Sequence, residues 1–102
     1  MCFIHVLLNA FEFQDKGHIV KVVIEGSATK LVEEYQNPES PYHKKWIELK
    51  ERGLIDCVCK ACARKMKSFE SVEEQKLKTC SELAGHPSME RYISEGYQII
   101  TF

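Results

Sequence analysis

The sequence has no excess of either charge: fourteen lysines and arginines face fifteen aspartates and glutamates, and no block of one sign runs along it. Nucleic acids and anionic bilayers are bound by basic stripes. Neither partner is expected here. A long apolar run is missing too. Met1-Cys2-Phe3-Ile4-His5-Val6-Leu7-Leu8 begins one, but Asn9, Glu12, Asp15 and Lys16 end it far short of the roughly 20 residues a membrane-spanning helix requires. The same stretch lacks the basic start and small-residue cleavage site of a signal peptide. There is no internal repeat and no low-complexity tract, and the most linker-like stretch, Gln36 to Pro41, reads as a loop inside one domain. At 102 residues the chain is long enough for one hydrophobic core without staples, and no second domain fits.

Cysteine is what the chain does have. There are five, an odd number, and they cluster instead of spreading as a disulfide framework. That usage suits a reducing compartment, so the chain is read as cytosolic. Three of the five fall within six positions, Cys57-Val58-Cys59-Lys60-Ala61-Cys62. The apolar run Leu54 to Cys59 reads as a strand, and Ala61 to Met66 has the composition of a helix. Cys59 sits at the seam. A helix start favours an anion, and Lys60, Arg64 and Lys65 add positive charge, so a thiolate is expected there. The nested Cys-x-Cys and Cys-x-x-Cys patterns allow sulfur transfer, dithiol redox chemistry or metal binding.

Around this junction, helix and strand patterns alternate. Residues 2–15 carry apolar side chains around most of a helical circumference, with Gly17 as a stop, and predict a helix buried on several sides. The β-branched run His18 to Glu25 predicts a strand covered on both faces, ended by Gly26. Thr29 is expected to cap a helix through Tyr35, and a second helix runs from about Tyr42 to Arg52, with Gly53 as terminator. Ser71-Val72-Glu73-Glu74 has the form of a capping box opening a short helix. Leu77 to Cys80 predicts a short strand, Gly85 to Ser88 a turn feeding a helix through Glu95, and Tyr97 to Phe102 a closing strand. The alternation argues for α/β layering on a mostly parallel sheet, with a crevice beyond the carboxyl ends of the strands.

The order of elements and the cysteine junction resemble the DsrE/DsrF-like family of small sulfur-relay proteins, which includes TusD-type subunits. The resemblance rests on Met1 to Ala10, Val23-Ile24-Glu25-Gly26 with Ala28-Thr29-Lys30-Leu31, Gly85-His86-Pro87-Ser88-Met89, and the ending Gly96 to Phe102. It implies a three-layer α/β/α domain with about five strands over residues 1–102 and partner proteins that donate and accept sulfur; the apolar N-terminal helix adds an expectation of self-association. It places the persulfide-carrying cysteine at Cys59. It also implies an N-terminal strand that this sequence lacks, so a truncated reading frame is expected, or else another chain or a rearranged sheet filling the gap.

Each candidate has a plainer reading beside it. Cys59 is taken as the sulfur-accepting nucleophile, against a merely packed thiol. Cys62, one turn into the helix, is a possible resolving thiol. Cys57 is expected in the core, and Cys2 and Cys80 as packed small hydrophobes. Zinc would need Cys57, Cys59 and Cys62 with Cys80, His43 or His86 as a fourth ligand. A regular strand wraps an ion poorly, and the usual second Cys-x-x-Cys pair is missing, so no resident metal or cofactor is expected. His86 is taken as a structural turn residue and His5 as a core or interface residue. The function these residues and the resemblance imply is a persulfide carrier in a protein-to-protein sulfur relay through Cys59. The alternatives are a dithiol redox or zinc-binding module on Cys59 and Cys62, or a non-catalytic assembly subunit.

Overall fold

The structure, a computed structural model, describes residues 3–102; Cys2, expected as a packed thiol, lies outside them. Ten short elements follow one another: α1 (Phe3–Asp15), β1 (Val22–Ile24), a 3-10 turn (Gly26–Ala28), α2 (Thr29–Gln36), α3 (His43–Glu51), β2 (Ile55–Cys59), α4 (Lys60–Lys65), α5 (Phe69–Glu74), β3 (Thr79–Cys80) and α6 (Met89–Ser94). The three strands form one parallel sheet in the order β1-β2-β3. A mixed α/β architecture on a parallel sheet is therefore what the alternating patterns produce.

Helix α1 buries Phe3, Leu7 and Ala10, which fall on one face, while Leu8 is 49% exposed. The expectation of burial on several sides is corrected, and His5 is exposed instead of lying in the core. The strand expected over 18–25 shrinks to three residues. Its neighbour β2 begins at Ile55, which lies opposite Val22, so residues upstream of Val22 have no β2 residue to pair with. The closing strand is corrected as well: residues 97–102 have no strand hydrogen bonding, and Ile100 and Phe102 are more than half exposed.

Two capping assignments change. Ser71 lies inside α5, where its Oγ accepts from Gln75 Nε2, and the residue before that helix is Ser68. Thr29 is the first residue of α2 but no side-chain cap; its hydroxyl lies 2.9 Å from the Gly26 carbonyl oxygen and 3.3 Å from that of Cys62. That contact ties the start of α2 to the helix carrying the cysteines. Ser88 caps α6 through its Oγ, which accepts from the Arg91 N–H. Gly53 stops α3 with a left-handed φ of 69°, a conformation that costs any other residue more.

One contiguous core joins Phe3 and Leu7 of α1, Val22 and Ile24 of β1, Val32 and Tyr35 of α2, Trp46 and Leu49 of α3, Val58 of β2, Ala63 of α4 and Val72 of α5. Beside it, a disulfide joins Cys57 of β2 to Cys80 of β3. This corrects the reading of both as separately packed thiols. They lie far apart in sequence but on adjacent strands, where Cys80 is the register partner of Cys59. Sequence spacing gives no hint of this neighbourhood. With its ends 23 positions apart in sequence, the cross-link is expected to contribute about 3 kcal/mol by restricting the unfolded chain. Denaturant unfolding of Cys57→Ala/Cys80→Ala against the oxidised parent measures it, and equal midpoints would remove the contribution.

Candidate active site

Cys59 ends β2 and is at once the residue preceding α4, with extended backbone at φ −61° and ψ 117°. Its Sγ accepts from the Cys62 N–H at 3.4 Å, a sulfur cap on the first turn. The strand-to-helix junction thus forms where the apolar β2 pattern gives way to helix formers. A loop from the far side of the sheet completes the site. After β3 the chain folds back on itself through paired hydrogen bonds between Leu83 and His86, N–H to carbonyl in both directions at 2.9 Å. The Gly85 carbonyl then accepts the Ala61 N–H at 2.9 Å, locking the loop to the head of α4. Gly85 has a φ of 92°, and a Cβ there would come within 3.2 Å of the Ala61 Cβ, so glycine suits both the backbone and the space.

This loop delivers His86. Its Nδ1 lies 3.2 Å from Cys59 Sγ and 3.9 Å from Cys62 Sγ, and the three atoms all fall within 4.8 Å of one another. Cys59 is buried, Cys62 is half-buried and His86 is exposed, so the cluster runs from the core to solvent. Of the expected site residues, Cys59 and Cys62 come together, while Cys57 and Cys80 are occupied by their mutual bond. His43 is elsewhere, its Nδ1 2.9 Å from the Tyr35 carbonyl oxygen. His86, read from sequence as a structural turn residue and named only among the alternatives for a fourth zinc ligand, is the residue that the fold adds to the two thiols. The signal was there, in a histidine between glycine and proline within a stretch already singled out.

The expected lowering of the Cys59 pKa is corrected. Burial pushes its thiol up, and the nearby Cys62 thiol adds to the rise, against a partial pull from the Cys62 and Ala61 N–H groups. Helix α4 is only six residues long, and the Arg64 guanidinium lies 4.9 Å from the centre of the Phe69 ring. At neutral pH Cys59 is a thiol that needs a base to become a nucleophile.

Behind the cysteines lies a polar network. Tyr92 of α6 donates to Asp56 Oδ2 and sits 3.4 Å from Cys57 Sγ, and Arg91 Nη2 donates to the Tyr92 oxygen at 2.9 Å. Arg91 Nε lies 3.2 Å from Glu82 Oε1 as an ion pair, off the line of a hydrogen bond. Glu82 also accepts from the Ser88 N–H, so the network brackets the His86 loop. Burial, with the adjacent Asp56 carboxylate, pushes the Tyr92 hydroxyl well above the usual phenol range, which keeps it a donor. An apolar groove of about 290 Å³ lies between α1, β1, α6 and the C-terminal segment; Tyr92 lines it, and among the described residues no cysteine does.

A parallel-sheet α/β protein that gathers two thiols and an imidazole at the carboxyl end of its central strand belongs to the class of small thiol-bearing domains. Over residues 5–102 the chain matches the model of the DsrE/DsrF-like family, and it belongs to that family. An uncharacterized protein of Methanocaldococcus jannaschii is 33% identical over 96 residues, covering 94% of this chain and 76% of the relative. A short uncharacterized protein of Archaeoglobus fulgidus is 43% identical over 37 residues, covering 36% of this chain and all of the relative. No solved structure matches the chain significantly. Among the described residues, no helix is long and apolar enough to cross a membrane.

Proposed function

We propose that the protein is a persulfide carrier in a protein-to-protein sulfur relay, with Cys59 as the accepting nucleophile. The observation that supports this most directly is the 3.2 Å approach of His86 Nδ1 to Cys59 Sγ at the head of α4. His86 accepts the Cys59 proton, and the thiolate attacks the outer sulfur of a donor persulfide. The donor's S–S bond breaks, its thiolate leaves, and Cys59 holds Cys–S–SH. Transfer onward repeats the exchange on an acceptor thiol, with no external oxidant or reductant. The reading makes the protein a carrier more than a conventional enzyme. Donor and acceptor proteins and a second copy of the chain are its partners, while the Cys57–Cys80 disulfide runs against the reducing compartment expected from cysteine usage.

A second reading is favoured by the closeness of the Cys59 and Cys62 sulfurs. Cys62 attacks the Cys59 persulfide, releasing hydrogen sulfide and leaving a Cys59–Cys62 disulfide. One experiment separates the two. Metal-free protein is loaded from a cysteine desulfurase in the presence of a chelator, and the added sulfur is mapped by mass spectrometry in the parent, Cys59→Ser and Cys62→Ser. The carrier reading expects one added sulfur on Cys59, none on Cys59→Ser, and the same persulfide on Cys62→Ser as on the parent; a longer-lived persulfide on Cys62→Ser belongs to the redox reading. Full labelling of Cys59→Ser would sink it. A Cys59–Cys62 disulfide as the sole stable product would favour the redox reading. Full biological activity of Cys59→Ser would instead leave an assembly role.

A further inference from the structure

The two thiols and the imidazole also have the donor set and spacing of a metal site that keeps one position open. We propose that Cys59, Cys62 and His86 bind one zinc(II) ion through Sγ, Sγ and Nδ1, leaving its fourth coordination position to solvent or to an incoming thiol. This goes beyond the carrier reading and does not depend on it.

Distances support the assignment. With Zn–S near 2.3 Å and Zn–N near 2.0–2.1 Å, a tetrahedral ion holds sulfur about 3.6 Å from nitrogen and about 3.8 Å from a second sulfur. The two sulfur-to-nitrogen distances here, 3.2 and 3.9 Å, straddle the first value, and all three donor atoms lie within 4.8 Å.

The local frame supports it too. Cys59 and Cys62 are presented by the junction and first turn of α4, and the third donor rides on a loop fixed to that same turn by the Gly85 carbonyl. The ion would sit beyond the end of β2, where the chain turns into α4, so it need not be wrapped by a regular strand. The Cys62 N–H already points at Cys59 Sγ and would remain on the thiolate as a supporting hydrogen bond. Charge also balances. One buried thiolate alone is costly, but two thiolates around a doubly charged cation make a neutral centre. Binding converts two thiols to thiolates and releases two protons, with no change of oxidation state. The exposed His86 side gives the ion its way in. Two cysteines and one histidine with an open position is the donor set of a reactive zinc centre more than a closed structural one. A zinc ion bound there would occupy Cys59 and so compete with its loading by persulfide.

The test uses the folded full chain with Cys57–Cys80 intact and cobalt(II) as a spectroscopic probe, followed by displacement with zinc(II). One equivalent of cobalt should produce thiolate-to-metal charge-transfer bands, and one equivalent of zinc should remove them. Cys59→Ser and Cys62→Ser should weaken binding by more than the roughly 10–100-fold lost when a hydrogen-bond partner of a metal ligand is removed. His86→Ala, altered on an exposed loop, should weaken it by about 10-fold or more and shift the visible bands. Circular dichroism checks that each variant folds, and the His86 variant decides the matter if a cysteine variant does not. Cys57→Ala/Cys80→Ala should bind as the parent does. A stoichiometry other than one, binding unchanged in Cys59→Ser or His86→Ala, or binding lost in a folded Cys57→Ala/Cys80→Ala variant would overturn the proposal. Cobalt binding is measured without a sulfur donor, so no cobalt binding here beside persulfide on Cys59 in the separate loading experiment would reject the metal site and leave the carrier reading standing.

Discussion

Trp46→Ala should lower the free energy of unfolding by about 4 kcal/mol. The indole is fully buried, with ring centroids 6.3 Å from both Phe3 and Tyr35, so its removal opens a cavity where α1, α2 and α3 meet. Its Nε1 also donates to Gln75 Oε1 at 2.9 Å. Gln75 is a hub: the same oxygen accepts from Lys50 Nζ, and its Nε2 donates to the Val32 carbonyl and to Ser71 Oγ. The indole therefore joins an apolar cavity to a polar knot linking three helices. Trp46→Phe separates the two contributions. It keeps most of the buried area and loses the hydrogen bond, and is expected to cost about 1 kcal/mol beyond the change in packing. Denaturant unfolding of both variants gives the difference, and an alanine variant within about 1 kcal/mol of the parent would contradict this placement of the ring.

Trp46 also shows what the sequence could and could not disclose. Its helix was legible, because Tyr42 to Arg52 ends in a glycine that the backbone uses as a stop, and the pattern around β2 and α4 held to within a residue. Gln75 was not legible as a hub, since its partners come from α2, α3 and α5 and no local pattern announces them. The same physics explains the remaining differences. Ile19 and Ile100 carry strand-forming side chains, yet a strand exists only where a neighbour supplies hydrogen bonds, and β2 reaches only the segment from Val22. At the site, the Cys59–Cys62 pair was visible from spacing along one helix turn. His86 and the Cys57–Cys80 bond depend on how β3 and its loop return to the sheet, a nonlocal fact.

His86→Ala should slow persulfide loading of Cys59 by about 100-fold at neutral pH, the lower end of what a positioned base contributes. The magnitude follows from burial. Because the folded-state pKa of Cys59 is raised, the thiol form predominates near pH 7, and attack requires removal of its proton. His86 Nδ1 is placed to take it. As pH rises toward and past the raised thiol value, thiolate forms without help, so the gap between parent and variant should narrow. The sign is the reverse for stability. Ionisation occurs first in the unfolded chain, so the contribution of a protonated Cys59 is present below the ordinary thiol pKa and is lost as pH rises through the folded value. Single-turnover loading in the presence of a chelator, followed by mass spectrometry across about pH 7 to pH 10, supplies the profile. A deficit that stays constant with pH would point to a displaced loop instead of a missing base. No deficit at neutral pH would remove His86 from the reaction.

The Cys57–Cys80 bond has a further effect on how often the two halves of the site meet in the open chain. Along the backbone, Cys59 and His86 are 27 residues apart. Through the cross-link the route is two residues from Cys57 to Cys59 and six from Cys80 to His86. Shrinking the ring from 27 to eight residues reduces the entropy of closing it by about 1 kcal/mol. In an oxidised but unfolded chain, the imidazole therefore encounters the thiols several times more often than in a reduced one, before any strand or helix has formed.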